Sequence, residues 1–369
     1  MRRILITCGE TSSELIASKL VKELRIIDPD IKILALGSSN LSDAGAEIIF
    51  RMEDYSVMGF WEVFKRLKDF LTLEKSLKKT LANGIDLFIP VDFPGLNLRL
   101  SRYARSIGIP VLYFISPQVW AWGGWRVREI KKSVDLMSVL FPFEEEFYRS
   151  IGMDVILIRH PLIDIVKAPD NPKKSPGEND EFKVVLFPGS RLQEVSRMLD
   201  VLLGSARKIK EKFTNAKFVL GLAPLIDKDS LKLPDDIRGY LQVSREGLRE
   251  LEDASLVIAS SGTVTLQSAL SGTPTIVLYR TSFITYLIGR LLVKVDNIAM
   301  PNLIAGREVV PEFIQNDANE DNIAREAIDI LSSPERYERL SGELLELRSK
   351  LDYKRNVSDL ARIALNLIS

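Results

Sequence analysis

Short runs rich in β-branched residues alternate with longer amphipathic segments along most of this chain. The runs with the length and composition of buried strands lie at residues 4–8, 31–36, 87–90, 111–115 and 136–140. Helical patterns, such as those at 13–27 and 98–107, lie between them. Strands that alternate with helices form parallel sheets covered by helices. The sequence therefore predicts an α/β fold of doubly wound, Rossmann-like domains.

The alternation stops at residues 168–181, APDNPKKSPGENDE, which contain three prolines and almost no apolar side chains. This composition is typical of a linker. Further strand candidates follow at 183–187, 217–220, 256–259 and 275–278. We therefore predict an N-terminal domain, a linker, a C-terminal domain and a C-terminal helix that packs back on the first domain or on a partner subunit. Their bounds are 1–167, 168–182, 183–345 and 346–369. Ligands of such folds bind at the carboxyl ends of the strands, which predicts a cleft between the two sheets.

Composition excludes several classes of protein and site. Lys+Arg and Asp+Glu both number 50, so no global charge predicts a nucleic-acid partner. Cys8 is the only cysteine and His160 the only histidine, which excludes internal disulfides and cysteine-rich or two-histidine metal sites. The expected base is a carboxylate, and we expect no metal and no cofactor. A lone histidine at a strand end favours a structural role.

Two features of the sequence bear on targeting and membrane insertion. The apolar run at the N-terminus is too short for a signal peptide, and no window holds 18 consecutive apolar residues. We expect a cytoplasmic protein that meets a membrane only from its surface.

Two strand–turn–helix junctions in the second half of the chain favour anion binding. Glycine lets the backbone approach a ligand, and the N–H groups that open a helix attract anions. The residues of the two turns are Gly189, Ser190, Arg191, Ser261, Gly262 and Thr263. Helix capping explains each turn alone about as well. Two such turns at equivalent strand ends would converge, and a pyrophosphate fits them.

The first half of the chain offers carboxylates at strand ends. Asp92 directly follows the strand candidate at 87–90 and precedes Pro94, so it either caps a helix or accepts a proton from a substrate hydroxyl. Glu10, in the turn GETSSE, is the other candidate base. The aromatic run at 116–126, SPQVWAWGGWR, includes Trp120. It forms either core and cleft wall or an apolar substrate passage.

Residues 56–71, SVMGFWEVFKRLKDFL, predict a helix whose apolar arc spans roughly 200°, wider than the arc needed to face a core. Basic residues flank this arc. Its apolar members are Phe60, Trp61, Val63, Phe64, Leu67, Phe70 and Leu71. From these residues alone, a helix buried on two sides is favoured over a surface that contacts a membrane or acyl chains.

Six segments, in this order, resemble the lipid-A-disaccharide synthases, a glycosyltransferase family of GT-B architecture: SVMGFWEV, YFISPQVWAW, FPFEEEFY, LFPGSRLQEV, ASSGT and AMPNLIAGRE. The resemblance implies transfer of 2,3-diacylglucosamine from UDP to the 6-hydroxyl of 2,3-diacylglucosamine 1-phosphate. The reaction inverts the anomeric centre and gives a β-1,6 link. Because both implied substrates are lipids, the helix at 56–71 is predicted to dock on the inner face of the inner membrane. A homodimer that exchanges C-terminal segments has precedent in the family.

The resemblance also implies roles for individual residues. Asp92 matches the general base, and Arg191 stabilises the departing UDP. Positions around UDP are matched by Arg191, Ser261, Gly262, Thr263 and Asn302, to which the turn residues Gly189 and Ser190 and the helix residue Gln267 are added. Glu10, Asn97 and Trp120 are assigned to the acceptor side of the cleft.

Three departures from the family pattern concern the nucleotide more than the fold. The first turn reads GETSSE where the family usually has GEASGD, and Gly95 replaces a usual aspartate. Gln267 stands where a glutamate suited to ribose hydroxyls is usual, and a neutral amide binds a diol less strongly. Two alternatives follow: a GT-B UDP-N-acetylglucosamine transferase or epimerase acting on a soluble sugar, and a catalytically silent, membrane-docking relative.

Overall fold

The computed structural model describes residues 1–55, 67–120, 124–223, 226–231, 233–282, 286 and 297–368. The chain divides into two compact units. The first comprises Met1–Pro161 together with Leu351–Ser369, and the second comprises Leu162–Lys350. Within the described ranges, every helix is too short or too polar to cross a membrane.

The first unit is built on a parallel sheet. Its described strands are β1 (Arg3–Cys8), β2 (Lys32–Gly37), β3 (Glu47–Arg51), β4 (Leu87–Val91), β5 (Leu112–Phe114), β6 (Leu136–Val139) and β7 (Val155–Leu157). The spatial order is β3-β2-β1-β4-β5-β6-β7. The chain winds outward from β1 to β3 and then resumes with β4 on the other side of β1. In doubly wound sheets this switch point is where ligands bind, and here the paired strand ends are Cys8 and Val91.

Helices cover both faces of this sheet. They are α1 (Thr11–Ile27), α2 (Ser39–Asp43), α3 (Leu67–Ala82), α4 (Pro94–Ser106), α5 (Val127–Ser133), α6 (Pro142–Ser150) and a C-terminal helix, Val357–Asn366. Buried side chains of α1 and of the C-terminal helix, among them Leu20 and Leu360, pack on one face. Leu77 of α3 and Leu100 of α4 pack on the other. The prediction of a doubly wound α/β fold is confirmed.

The second unit repeats the plan. Its described strands are β8 (Phe182–Phe187), β9 (Ala216–Gly221), β10 (Leu241–Ser244), β11 (Ala254–Ser260), β12 (Thr275–Tyr279) and β13 (Glu312–Ile314). The order β10-β9-β8-β11-β12-β13 puts the switch point between β8 and β11. Its helices are α7 (Leu162–Ile165), α8 (Leu192–Lys212), α9 (Gly247–Glu250), α10 (Thr263–Leu270), α11 (Met300–Ala305), α12 (Glu320–Ser332) and α13 (Pro334–Ser349), and the C-terminal helix is α14.

The unit boundaries differ from the predicted domain boundaries. Residues 168–182, predicted as a linker, belong to the second unit and are hydrogen-bonded to it. The Lys173 backbone N–H donates to Ser341 Oγ at 2.8 Å, and Lys173 Nζ donates to Ala254 O at 3.0 Å and to Thr273 Oγ1 at 2.8 Å. The polar composition of the segment serves these contacts, and burial lowers the pKa of Lys173 to about 8. Residues 351–369 return to the first unit.

Candidate active site

In the first unit, Asp92 stands at the switch point in an unusual backbone conformation. Asp92 and Phe93 have φ of 48° and 49°, in the left-handed region that non-glycine residues rarely adopt. The Asp92 carbonyl accepts hydrogen bonds from Asn97 Nδ2 at 2.8 Å and from Tyr113 Oη at 2.6 Å. Because Tyr113 is fully buried, its hydroxyl fixes this turn from within the core. Aspartate and asparagine tolerate this region better than other non-glycine residues, so the cost of the turn, of order 1–3 kcal/mol, falls mainly on Phe93, and these contacts offset it.

Asn97, predicted on the acceptor side, lies in the core beneath Asp92. It is fully buried, and its Nδ2 also reaches Thr7 O and Val91 O at 3.2 Å each. Its Oδ1 accepts from Thr7 Oγ1 at 2.7 Å. The amide therefore ties the end of β1 to the end of β4. Asn97 holds Asp92 in place, so its predicted place on the acceptor side of the cleft would be a supporting one.

The first turn, 9–14, adjoins the Asp92 turn. A Cβ at Gly9 would lie 2.2 Å from Cγ of Phe93, so only glycine admits the ring of Phe93. Glu10 follows directly and is exposed, and its carbonyl accepts from Glu14 N at 3.0 Å and from Ser13 Oγ at 2.9 Å. Glu10 and Asp92 thus share one edge of the sheet, as predicted from their strand ends.

Glu14, where the family usually has aspartate, has a structural task. Its carboxylate is fully buried and accepts hydrogen bonds from the backbone N–H and the hydroxyl of Ser38 and from Leu41 N at 3.4 Å. These donors open α2, so Glu14 caps that helix. Burial, followed by the charges of Glu14 and Asp92, raises the pKa of the Cys8 thiol.

Trp120 belongs to an aromatic cluster of the first unit. Its ring meets the edge of Phe143 at 4.7 Å, Phe143 stacks on Phe141 at 5.3 Å, and Phe141 lies 5.3 Å from the imidazole of His160. His160 is 2% exposed, and burial lowers its pKa to about 3, so the ring is neutral at physiological pH. The lowered pKa makes this imidazole a weak proton acceptor, and its ring packs against Phe141 in the core.

A buried carboxylate, missed from the sequence, supports the loop that carries Trp120. Glu144 accepts from Ser116 Oγ at 2.7 Å and from Leu140 N and Phe141 N at 3.2 Å each. Burial raises the pKa of Glu144 to about 7, against the effect of these hydrogen bonds. It is the third residue of α6, the position of the glutamate in a capping box, but Phe141 at the N-cap lacks the polar side chain by which the sequence would have signalled it.

In the second unit, the N–H groups of the turn 189–191 bind a carboxylate of the protein itself, that of Glu194. The N–H groups of Ser190 and Arg191 donate to Glu194 Oε2 at 2.9 and 3.3 Å, and Arg191 Nη1 lies 3.4 Å from Glu194 Oε1. Gly189 has φ of 124°, and a Cβ there would meet Glu194 Oε2 at 2.6 Å. The predicted phosphate donors are therefore present, and the Glu194 carboxylate engages them.

The second predicted turn lies beside the first, because β8 pairs with β11 and Phe187 is opposite Ala259. Ser261 Oγ donates to Ile298 O at 3.0 Å, Gly262 is extended, and Thr263 opens α10. Gln267 is buried within the same helix. The two turns thus sit at the ends of neighbouring strands, as expected for loops that serve one anion.

Asn302, predicted to contact UDP, is fully buried and fully hydrogen-bonded. Its Oδ1 accepts from Val309 N and Val310 N at 2.7 and 2.8 Å, and its Nδ2 donates to Val310 O at 2.8 Å and to Glu312 Oε1 at 2.7 Å. An amide with all its positions used in the core cannot also contact a ligand. Asn302 therefore shapes the loop, and its predicted place around UDP stays a prediction in which it would hold that loop.

Glu312 organises this loop and was not apparent from the sequence. Its carboxylate accepts from Ile298 N and Ala299 N at 2.9 Å each, in addition to Asn302. Because Ile298 O is the acceptor of Ser261 Oγ, Glu312 indirectly fixes the turn that contains Ser261. Glu312 is distant in sequence from the residues that it contacts, so sequence spacing could not have identified it.

Comparison with known proteins identifies the family. The family model described as lipid-A-disaccharide synthetase matches residues 4–361. The lipid-A-disaccharide synthase of Syntrophus aciditrophicus (strain SB) is 40% identical over 373 residues, covering 99% of this chain and 97% of that protein. That of Geobacter sulfurreducens is 37% identical over 359 residues, with 95% and 93% coverage. The chain belongs to the lipid-A-disaccharide synthase family. It is a hexosyltransferase of lipid A biosynthesis.

Solved structures share the fold of this family member. The UDP-GlcNAc 2-epimerase from Neisseria meningitidis bound to UDP-GlcNAc superposes with a TM-score of 0.65 at 13% identity, covering 99% of this chain and 98% of that one. The S. aureus MnaA–UDP co-structure gives a TM-score of 0.63, also at 13% identity, with 100% and 98% coverage. The architecture is thus that of GT-B glycosyltransferases and epimerases. Likeness at this identity extends to the fold alone, so the soluble-sugar alternative is not favoured.

Part of the predicted docking helix lies outside the described residues. This applies to Phe60, Trp61, Val63 and Phe64. The described part of helix α3 spans Leu67–Ala82, and Phe70 is half-buried against Tyr55, with ring centroids 6.4 Å apart. Leu71 is 53% exposed, whereas Leu77 on the same helix is fully buried in the core.

Proposed function

We propose that this member of the lipid-A-disaccharide synthase family transfers 2,3-diacylglucosamine from UDP to the 6-hydroxyl of 2,3-diacylglucosamine 1-phosphate. The products are the β-1,6-linked disaccharide 1-phosphate and UDP. The observation that carries the assignment of chemistry is the strained turn at the switch point, where Asn97 and Tyr113 hold Asp92 by its backbone carbonyl. Strain maintained by buried partners at a ligand-binding edge is a common feature of active sites.

Asp92 acts as the general base. Its carboxylate takes the proton of the acceptor 6-hydroxyl while that oxygen bonds to the anomeric carbon of the donor. The bond from this carbon to the UDP oxygen breaks, and UDP leaves with the electron pair. A single displacement inverts the anomeric centre and needs one base. A general base of this kind increases the reaction rate by about 10²–10⁴-fold. His160 is a poor candidate for this role, because burial lowers its pKa and its ring packs against Phe141 in an aromatic cluster.

The second unit binds the UDP moiety through its two neighbouring turns. Arg191 and the N–H groups that open α8 and α10 supply positive potential to the departing diphosphate. Ser261, Gly262 and Thr263 line the second turn, and Glu312 and Asn302 hold it in shape. Gln267 accepts the ribose hydroxyls as a neutral partner. The Glu194 carboxylate engages the same N–H groups, so donor binding requires it to turn away.

Both substrates are lipids, so the enzyme works at the inner face of the inner membrane as a peripheral protein. The apolar sequence at 56–71 and the exposed Leu71 on α3 support docking through the first unit. An exposed leucine beside an aromatic-rich segment and basic residues is typical of an interfacial helix.

The deciding experiment is a turnover assay with UDP-2,3-diacylglucosamine and 2,3-diacylglucosamine 1-phosphate in detergent micelles, with products read by mass spectrometry. A tetra-acylated disaccharide 1-phosphate and released UDP are expected. UDP release without disaccharide would mean that the acceptor is wrong. Turnover of UDP-N-acetylglucosamine alone would return the assignment to a soluble sugar. No release by folded protein that still docks on vesicles would point to the silent relative.

A further inference from the structure

A basic surface cavity lies between α3 and α4 in the first unit. It has a volume of about 260 Å³. Its lining residues are Glu74, Lys78, Arg99, Arg102, Tyr103 and Ser106. None of the site residues described above takes part in it. Both helices cover the same face of the sheet, and their core sides are occupied by apolar residues, so the cavity is formed by their outward edges.

The cavity carries excess positive charge. Three cations face one carboxylate within its lining, and Glu74 is shared between Lys78 Nζ at 2.7 Å and Arg99 Nε at 3.1 Å. Arg102 pairs with Glu129 through one guanidinium nitrogen. The Arg99 and Arg102 side chains remain 47% and 67% exposed. Each guanidinium carries five N–H donors, so one contact to a carboxylate leaves donors that face solvent.

The donor set fits a single phosphate group. Arginine binds phosphate oxygens through a planar fork of two N–H groups, which makes it more selective for phosphate than a lone ammonium. Arg99 and Arg102 are three residues apart on α4 and so lie on one side of that helix. Lys78 Nζ approaches from α3, where it also lies 5.6 Å from the ring centroid of Tyr103. Nucleic acids present many phosphates and are bound by longer basic surfaces, which disfavours them here.

An exposed apolar side chain lies on the same helix as the cavity residue Lys78. Leu71 and Lys78 are seven residues apart on α3, which brings them to the same side of the helix, about 10 Å apart along its axis. Leu71 is 53% exposed, and the aromatic residues at 56–66 directly precede residue 67 in the sequence. A leucine that enters the acyl region and a cation pocket one headgroup length away are complementary to a single phospholipid layer.

We propose that this cavity binds the phosphate of an anionic phospholipid headgroup, through Arg99, Arg102 and Lys78. The inference rests on the proposed membrane docking of the first unit and adds a defined headgroup site to it. The apolar residues around Leu71 anchor the protein to any bilayer, and the cavity selects anionic lipid and sets the rotation of the first unit on the membrane.

The test compares binding to vesicles of phosphatidylcholine with binding to vesicles that contain phosphatidylglycerol. A basic residue near an anionic surface contributes about fivefold to affinity, so R99Q/R102Q is expected to lose about 30-fold of the anionic-lipid preference. The matched pair K75Q/K79Q removes the same charge from exposed positions of α3 outside the cavity lining and is expected to lose less than about fivefold. R99K/R102K keeps the charge without the fork and is expected to recover only part of the preference.

The outcomes separate the cavity from docking in general. Equal losses for the arginine and lysine pairs, or full recovery by R99K/R102K, would overturn the headgroup site and leave diffuse attraction. The variant W61S/F64S/F70S tests docking itself, because it is expected to lose binding to both kinds of vesicle. Wild-type protein that binds neither would refute docking, and the cavity proposal with it. Thermal melts check folding, and R102Q alone, at the more exposed arginine, replaces the double variant if that variant is unstable.

Discussion

Replacing Asp92 with asparagine changes the carboxylate and little else. The contacts from Asn97 and Tyr113 go to the backbone carbonyl of residue 92, which the substitution keeps. Asparagine is among the few non-glycine residues that tolerate the left-handed region, so φ of 48° costs it little. We expect the free energy of unfolding to change by less than about 0.5 kcal/mol. We expect kcat to fall by about 10²–10⁴, or about 3–5 kcal/mol of activation free energy, because the proton acceptor is lost.

The assay measures kcat and KM with both acylated substrates, the Kd for UDP by calorimetry and the melting temperature. Asp92→Val is the matched control for the turn: a β-branched residue in this region costs about 1–2 kcal/mol, so that variant should lose stability as well as activity. Glu10→Gln, at the same edge, should reduce kcat by less than Asp92→Asn. An Asp92→Asn enzyme within about threefold of wild type would refute the base assignment. Equal losses of UDP binding and turnover would refute it as well.

Three further predictions concern Glu194, Asn302 and the buried pair of titratable groups His160 and Glu144. Glu194→Gln should tighten UDP binding, because it removes the negative charge that shares the N–H groups of Ser190 and Arg191; calorimetry that shows weaker binding would mean that Glu194 orients the turn instead. Asn302→Ala should lower the free energy of unfolding by about 2–4 kcal/mol, since it leaves buried partners without hydrogen bonds, and denaturant titration measures this loss. His160 has a lowered pKa, so its contribution to stability is lost as pH falls below about 6.5, whereas that of Glu144, with a raised pKa, is lost as pH rises through about 7. Between pH 4.5 and 6.5 the two slopes, each about 1.4 kcal/mol per pH unit, oppose each other, so urea titrations of Glu144→Gln should show stability falling with acid and those of His160→Asn should show it rising.

The central strands could be predicted from the sequence, and the edge strands could not. The strands without a predicted counterpart are β3, β7, β10 and β13, which are the outermost strands of the two sheets. An edge strand has one neighbour and is partly solvated, so its sequence needs no continuous apolar run. The burial pattern of β3, with no fully buried residue, illustrates this. The resemblance to a family did not supply these strands either.

Residues 168–182 mislead for a related reason. Three prolines and polar side chains are typical of a linker, yet here the backbone N–H of Lys173 and the hydroxyl of Ser175 donate hydrogen bonds to Ser341 and Leu331 of the second unit. Composition indicates how little apolar area a segment buries. It does not indicate whether hydrogen bonds fix the backbone of that segment to the rest of the domain. Lys173, whose ammonium reaches Ala254 O and Thr273 Oγ1, is held by two such contacts.

Residue type at a strand end predicts a region of the candidate site, and it does not predict the direction of single side chains. Asn97 and Asn302 match family positions, but both are buried amides with their hydrogen bonds spent on the backbone around the site. Sequence spacing predicts the position of a residue to within about one helical turn. The neighbouring strands decide whether its side chain points to the ligand or to the core. A polar residue assigned by resemblance is thus as well placed to hold a loop as to bind a substrate.

The carboxylates show how the two cases can be told apart. Four carboxylates each accept hydrogen bonds from backbone N–H groups at the start of a helix: Glu14, Glu144, Glu194 and Glu312. Their negative charge neutralises the positive potential of the helix N-terminus. Asp92 differs, because the fold holds it through its own carbonyl in a strained turn. A carboxylate that is used as a cap needs no strain in its own backbone. Strain beneath Asp92 that core residues maintain is therefore the physical ground for assigning the chemistry to that residue, and not to the other four.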